Sequence, residues 1–386
     1  MRARPALALG APLVVALAAC NAILGIDAPK VVPSEAGASD SPVADTKPDT
    51  LSGSDSPADA SDARVDAAID AAAEGAPGDG GLGDGADVVV VGDGGFDGHC
   101  GCDDSGCPTV VVAPMQNNPA GIAADSIGVY WTSAGDGTVS RIVFPGAPEV
   151  VTSVPASSPG AIAMNPVTVA WAEQAGGRIL ACSRGACSAP SVLAGPLPQL
   201  GSIAVDTGSA YFNTGKYVDS CPLGGGGPAT IGGDAGAPDS VVTDGQGLYW
   251  VNGAAVVGCS LPGCTGGGTP LASAEASPQG LSIANGTLYW ATMGPPAAVR
   301  WCTASACTPQ TLYQQGAPAF VVSDGTNVYW TDSFAGQVLR GPVAGGATPV
   351  TIATSMRPRR LALGDTCVFF VDSPLATNGA IMAVAK

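Results

Sequence analysis

The stretch NVYWTDSFAGQVLR, residues 327–340, sets an aromatic pair ahead of a threonine and an aspartate, then a glycine-bearing turn, then a second apolar run ending in arginine. Something like it returns about every 40 residues. Its landmark aromatic recurs as Trp131, Trp171, Phe212, Trp250, Trp290, Trp330 and Phe370, at intervals of 40, 41, 38, 40, 40 and 40 residues. A period of this length is the signature of a repeat architecture, and it orders the reading of everything else.

Each unit holds four short runs. The first is of the type GIAAD or FVVSD, the second is the aromatic run (GVYWT, GLYWV, NVYWT), and the third and fourth are of the types GQVLR and PVTIA. The runs are rich in β-branched and aromatic residues and are separated by turn residues such as Asp244-Gly245 and Asp324-Gly325, which is the pattern of strands joined by tight turns. No window carries a sustained helical period. Adjacent Tyr and Trp point to opposite faces of a strand, so both faces of each small sheet must be covered. That happens when blades stack face to face around an axis. The expected fold is all-β, a seven-bladed β-propeller of four-stranded antiparallel blades.

Ring closure is also written in the chain. The seventh unit stops at Lys386 one strand short, while TVVVA, beginning at Thr109, stands alone ahead of the first unit. This N-terminal strand is expected to pair with AIMAVA and complete the last blade, leaving no open edge.

The N-terminus reads as an address. Arg2 and Arg4 precede an apolar run from Ala6 to Ala19, the form of a secretory signal over residues 1–19. Leu17-Ala18-Ala19-Cys20 matches the bacterial lipobox, so Cys20 is the expected lipidation site, and Asn21 after it resembles outer-membrane sorting. Residues 20–99 are expected to be an acidic, disordered Ala/Gly/Ser/Pro/Asp stalk: residues 21–99 hold 16 acids against three bases. Such a chain has a typical span of about 50 Å. Residues 100–386, the expected propeller, hold 16 acids against ten bases, so nucleic acid is not an expected partner. The membrane is met through the lipid anchor only, in the cell envelope, and the ring is read as a monomer.

Eight cysteines form C-x4-C pairs: Cys102 with Cys107, Cys182 with Cys187, Cys259 with Cys264, and Cys302 with Cys307. In three of them the first thiol is placed at the end of a third strand and the second at the start of a fourth, within disulfide reach. Each would contribute on the order of 2 kcal/mol. Cys367 opens the second strand of the last blade, where the N-terminal segment should arrive, so Cys100 is expected to bond it, or to exchange that role with Cys102. Cys221 has lost its partner to a glycine run and is expected to be free.

No catalytic set is found, since the single histidine, His99, lies at the end of the stalk. No cofactor motif and no metal-ligand cluster is found either. Carboxylates near the turn after the aromatic strand (Asp136, Glu173, Asp219, Asp332, Asp372) share one face of the ring. On that face Lys216, Tyr217, Met293, Asp332 and Phe334 are the candidate ligand-binding residues, suited to contact with a protein or glycan and equally to packing over a neighbouring blade. Arg359 and Arg360, in the only basic cluster, are candidates for the channel mouth.

The run VYWTDSFAGQVLRGPVAGG resembles the YWTD repeat of low-density-lipoprotein-receptor propellers and their bacterial relatives, although the full YWTD occurs once, at Tyr329 to Asp332. Receptor propellers of that type have six blades. Lipobox, stalk and hairpin cysteines together resemble the propeller lipoproteins of myxobacteria. The resemblance implies extracytoplasmic protein or ligand binding. The expected role is therefore a lipid-anchored, non-enzymatic binding or scaffolding module. The alternatives are a lyase or lactonase-type propeller enzyme with a metal at the channel mouth, and a purely structural envelope protein.

Overall fold

The computed structural model describes residues 88–90, 95–102 and 107–386, less residues 156, 188, 233–237, 265 and 376–377. The signal, Cys20 and most of the acidic segment lie outside the described residues.

Seven antiparallel sheets follow one another along the chain. Six are four-stranded and spanned by consecutive residues: blade 1 by 119–153, blade 2 by 159–194, blade 3 by 200–232, blade 4 by 238–272, blade 5 by 278–313 and blade 6 by 318–354. Blade 7 combines Pro358–Leu363, Cys367–Leu375 and Asn378–Ala385 with the N-terminal strand Thr109–Gln116. The closing register sets Val110 opposite Ala383, Val111 opposite Met382 and Ala113 opposite Ile381. The chain is a seven-bladed β-propeller whose last blade is built from both termini of the ring.

The adjacent aromatics act as the alternation of a strand requires. Seven apolar clusters fill the seven interfaces, and each joins the residue before one blade's landmark to the landmark of the next blade. Tyr130 meets Trp171, Tyr211 meets Trp250, Tyr289 meets Trp330, Tyr329 meets Phe370 and Phe369 meets Trp131. Tyr249 packs against Trp290, and Ala170 against Phe212. Trp131, Trp250, Trp290 and Trp330 are fully buried. Burial of that much aromatic surface at every interface is the main term holding the blades together.

The folded part begins earlier than residue 100, where the composition shift placed it. Val88–Val90 adds a fifth strand to blade 7, parallel to Thr109–Val111. Phe96 is buried, with its ring edge-on to Phe144 at 5.6 Å and to Phe369 at 5.9 Å, and it exchanges backbone hydrogen bonds with Gly146. Low average hydrophobicity hid a short apolar segment that borrows its core from blades 1 and 7.

Disulfides join Cys100 to Cys367, and Cys102 to Cys107, Cys182 to Cys187, Cys259 to Cys264 and Cys302 to Cys307. The second cysteine of each blade hairpin lies in the turn and not in the fourth strand, which starts only at Ser191, Thr269 or Gln310. Cα separations of 5.2, 5.4 and 4.9 Å are reached because the turn doubles back on strand three. Cys221 is free and buried.

Candidate functional site

The ring has two faces. One carries the turns between strands 2 and 3 and the links from strand 4 to the next blade. The opposite one carries the turns between strands 1 and 2 and between strands 3 and 4. Strand Thr109–Gln116 runs toward the first of these faces, since it leads directly into blade 1. The parallel Val88–Val90 therefore brings the chain in from the second. The first is the tip face, the second the base face.

The tip face collects the exposed apolar side chains. Phe334 (82% exposed) and Met293 (45%) sit in strand 2–3 turns, and Tyr217 (44%) follows the two-residue Gly215-Lys216 turn, with Lys216 exposed beside it. Met115 (85%) lies at the end of the closing strand Thr109–Gln116 and Met356 (78%) in the link between blades 6 and 7. Among the described residues, every exposed methionine and large aromatic is on this face, while the base face exposes only Val and Ile of comparable size. Met115 and Met356 were not picked out as candidates from the sequence. The readable signal was their place two to four residues ahead of the strand-one prolines Pro119 and Pro358, where the chain crosses the rim. The turn presenting Phe334 is tight: Gly336 takes φ +68°, and a Cβ there would lie 2.4 Å from the Ser355 carbonyl oxygen.

Asp332 differs from its expected role. It is 3% exposed, and its two oxygens accept the backbone N–H groups of Phe334 (3.0 Å), Ala335 (2.9 Å) and Ala317 (2.9 Å). It is buried and shapes the turn, with both oxygens engaged by backbone amides. The neighbouring carboxylates are engaged in the same way. Glu173 pairs with Arg178, Asp219 accepts the hydroxyls of Thr214 and Thr230, Asp136 accepts Asn117 Nδ2, and Asp372 accepts the Arg357 amide. Among the described residues no three His, Cys, Asp or Glu side chains converge as metal ligands.

The two arginines part company. Arg360 lines a cavity of about 150 Å³ on the axis, with small and apolar neighbours such as Ala161, Ser202, Val241 and Leu281, and its guanidinium lies 5.1 Å from the centre of the Phe320 ring. Arg359 is half-buried beside it. Burial first, and then repulsion from Arg357, weaken its hold on its proton.

The interfaces also carry polar groups on the base face. Asp125, Asp206, Asp244 and Asp324 each close a strand 1–2 turn, with Oδ1 accepting two backbone amides. The other oxygen faces the gap to the next blade. In the gap between blades 1 and 2 it meets Arg184, whose guanidinium also lies over the Tyr130 ring at 5.5 Å. Burial alone would raise the Asp125 carboxyl, but Arg184 and the turn amides outweigh it and hold it below its ordinary value.

No protein-family model matches the chain, and no curated protein matches it. Among solved structures, virginiamycin B lyase from Staphylococcus aureus aligns with a TM-score of 0.59 at 14% identity, over 72% of this chain and 99% of that one. A streptogramin B lyase structure aligns at 0.57 and 14%, over 70% and 94%. A nidogen/laminin complex aligns at 0.45 and 19%, over 55% and 88%. At such identities the likeness is one of fold alone, and the class defined is the seven-bladed β-propeller.

Proposed function

We propose that this chain is a lipid-anchored, extracytoplasmic propeller, tethered through Cys20 to the outer membrane, and that its ring is a non-enzymatic binding module for a protein of the cell envelope. The observation that carries this reading is the gathering of Met115, Tyr217, Met293, Phe334 and Met356 on the tip face, opposite the side from which the chain reaches the ring. A flexible tether of the stalk's length would leave that face free to meet a partner in the envelope. Exposed methionine and aromatic side chains on a rigid scaffold are what a protein contact uses. Five disulfides suit an oxidising compartment.

A lyase or lactonase-type activity is the second reading, since propeller lyases share the fold. It is less favoured because the tip-face carboxylates are each engaged in local hydrogen bonds. The test is capture from the organism's own envelope with the mature chain and with a Met115→Ser/Phe334→Ser/Met356→Ser variant. A partner retained by the first and lost by the second supports the binding face, whereas equal retention removes it. Labelling with a clickable fatty acid, lost on Cys20→Ser, tests the anchor separately.

A further inference from the structure

The gap between blades 4 and 5 is built like the gap between blades 1 and 2 with its cations taken out. In blade 1 the residue directly opposite Tyr130 across strands 2 and 3 is Arg141; in blade 6 Arg340 opposes Tyr329, and in blade 5 Trp301 opposes Tyr289. In blade 4 the residue opposite Tyr249 is Gly258. A Cβ at Gly258 would meet Tyr249 Cδ1 at 2.7 Å and Leu271 Cδ1 at 2.8 Å, so the two side chains lean over the missing one. Tyr249 accordingly remains partly exposed while Tyr130, Tyr211, Tyr289 and Tyr329 are buried.

The second change is on the facing blade. The residue after strand 3 sits against the Asp turn of the preceding blade. It is Arg184 opposite Asp125 and Lys386 opposite Asp324, at 3.9 Å. The corresponding backbone bonds, Arg184 to Val167, Lys386 to Thr366 and Ala304 to Gly286, show that Ala304 occupies this place opposite Asp244. Asp206, which faces Leu261, is satisfied by the Tyr211 hydroxyl at 2.7 Å. Among the described residues neither a cation nor a hydroxyl is hydrogen-bonded to the outer oxygen of Asp244. The space left is a groove of about 960 Å³, in which Asp244 is the single charged side chain among the described lining residues and Gln246, Asn285 and Thr269 supply polar walls. Between blades 1 and 2 the recess is about 240 Å³ and is lined by Arg141 and Glu149 of blade 1 and by Ala186 and Cys187 of blade 2.

We infer that the groove between blades 4 and 5 binds an arginine side chain presented by a peptide, its guanidinium pairing with Asp244 over the Tyr249 ring as Arg184 pairs with Asp125 over Tyr130. Carboxylate and aromatic face together select a planar cation. The volume exceeds what one guanidinium needs and accommodates the chain that carries it. The site lies on the base face and does not depend on the apolar tip face.

The probe is N-acetyl-Gly-Arg-Gly-amide, titrated calorimetrically into the mature full chain beside its citrulline counterpart, which keeps the shape and loses the charge. Saturable binding of the arginine peptide is expected, weaker by about tenfold or more for citrulline or for Asp244→Asn. Ala304→Arg, which supplies the guanidinium from within, should abolish binding while the circular dichroism stays native. Equal binding of the two peptides, no binding of either at millimolar concentration, or full affinity in Asp244→Asn overturns the inference. Free arginine binding as tightly as the peptide would overturn the peptide-borne source.

Discussion

Replacing Cys100 and Cys367 together by serine is expected to cost far more stability than replacing any hairpin pair. In the chain-entropy description, a crosslink removes freedom from the unfolded chain in proportion to the logarithm of the loop it closes. The Cys100–Cys367 separation is 267 residues and that of Cys182–Cys187 is five. These correspond to about 5.6 and about 2.1 kcal/mol at 25 °C. The native-state cost of the substitution is small, because Cys367 is buried with its Sγ 3.4 Å from the Gly98 carbonyl oxygen, an acceptor a serine hydroxyl can use. Phe96 and the Thr109–Gln116 strand still hold the segment in place, so the variant should fold to the same ring. Guanidinium unfolding of the mature chain, followed by tryptophan fluorescence, reads the difference as the free energy extrapolated to water, with a steeper slope for the latch variant because its unfolded chain is no longer held in a closed loop. Residual structure in the unfolded chain narrows the gap between the two variants but does not reverse it. A latch variant no less stable than the Cys182→Ser/Cys187→Ser variant would refute the reasoning, and would mean that strand pairing alone keeps the termini together.

Trp330→Ala should cost about 3 to 5 kcal/mol, since the indole is fully buried and stacked on Tyr313 at 5.1 Å, whereas Trp330→Phe should cost clearly less; the same unfolding curves decide it. Cys221 should resist alkylation at pH 8 until the chain is unfolded, because burial pushes its thiol up to about 11, and rapid labelling of the native ring would contradict that. Stability should fall on acidification below about pH 4. For Asp324, burial raises the carboxyl, but the Asn327 and Thr326 amides, the Tyr329 hydroxyl and Lys386 outweigh it, so the folded value lies below 3.8. The group therefore stabilises the fold above its unfolded value, and the contribution disappears as pH drops through the folded one. Asp324→Asn should flatten the acid limb of a melting-temperature profile.

The fold was legible because its determinants are local and repeated. The Tyr-Trp pair specifies a strand covered on both sides, and the unpaired TVVVA specifies where the ring closes. The beginning of the folded part was less legible. Phe96 sits in a Gly- and Asp-rich stretch, and its burial depends on Phe144 and Phe369, which are distant in the chain. The local engagement of Asp332 was hidden for a related reason. A carboxylate at the end of an aromatic strand looks available in one dimension, whereas three backbone amides reach it only once the turn and the neighbouring link are in place.

The groove between blades 4 and 5 was invisible in the sequence because its signal is a loss. Searching for motifs finds residues that are present, while Gly258 and Ala304 matter for the side chains they lack. Their meaning appears only when the register sets Gly258 opposite Tyr249 and the ring sets Ala304 opposite Asp244. A repeat protein supplies its own control for such readings, because the same scaffold position recurs in every blade. Where Asp125 has Arg184, Asp206 has Tyr211 and Asp324 has Lys386, a cation or hydroxyl completes the turn carboxylate. Leaving Asp244 facing open space forgoes that stabilisation at one interface out of several otherwise alike. An interface spared this pairing, and widened by a glycine on the adjoining strand, has the geometry of a site whose missing cation comes from another molecule.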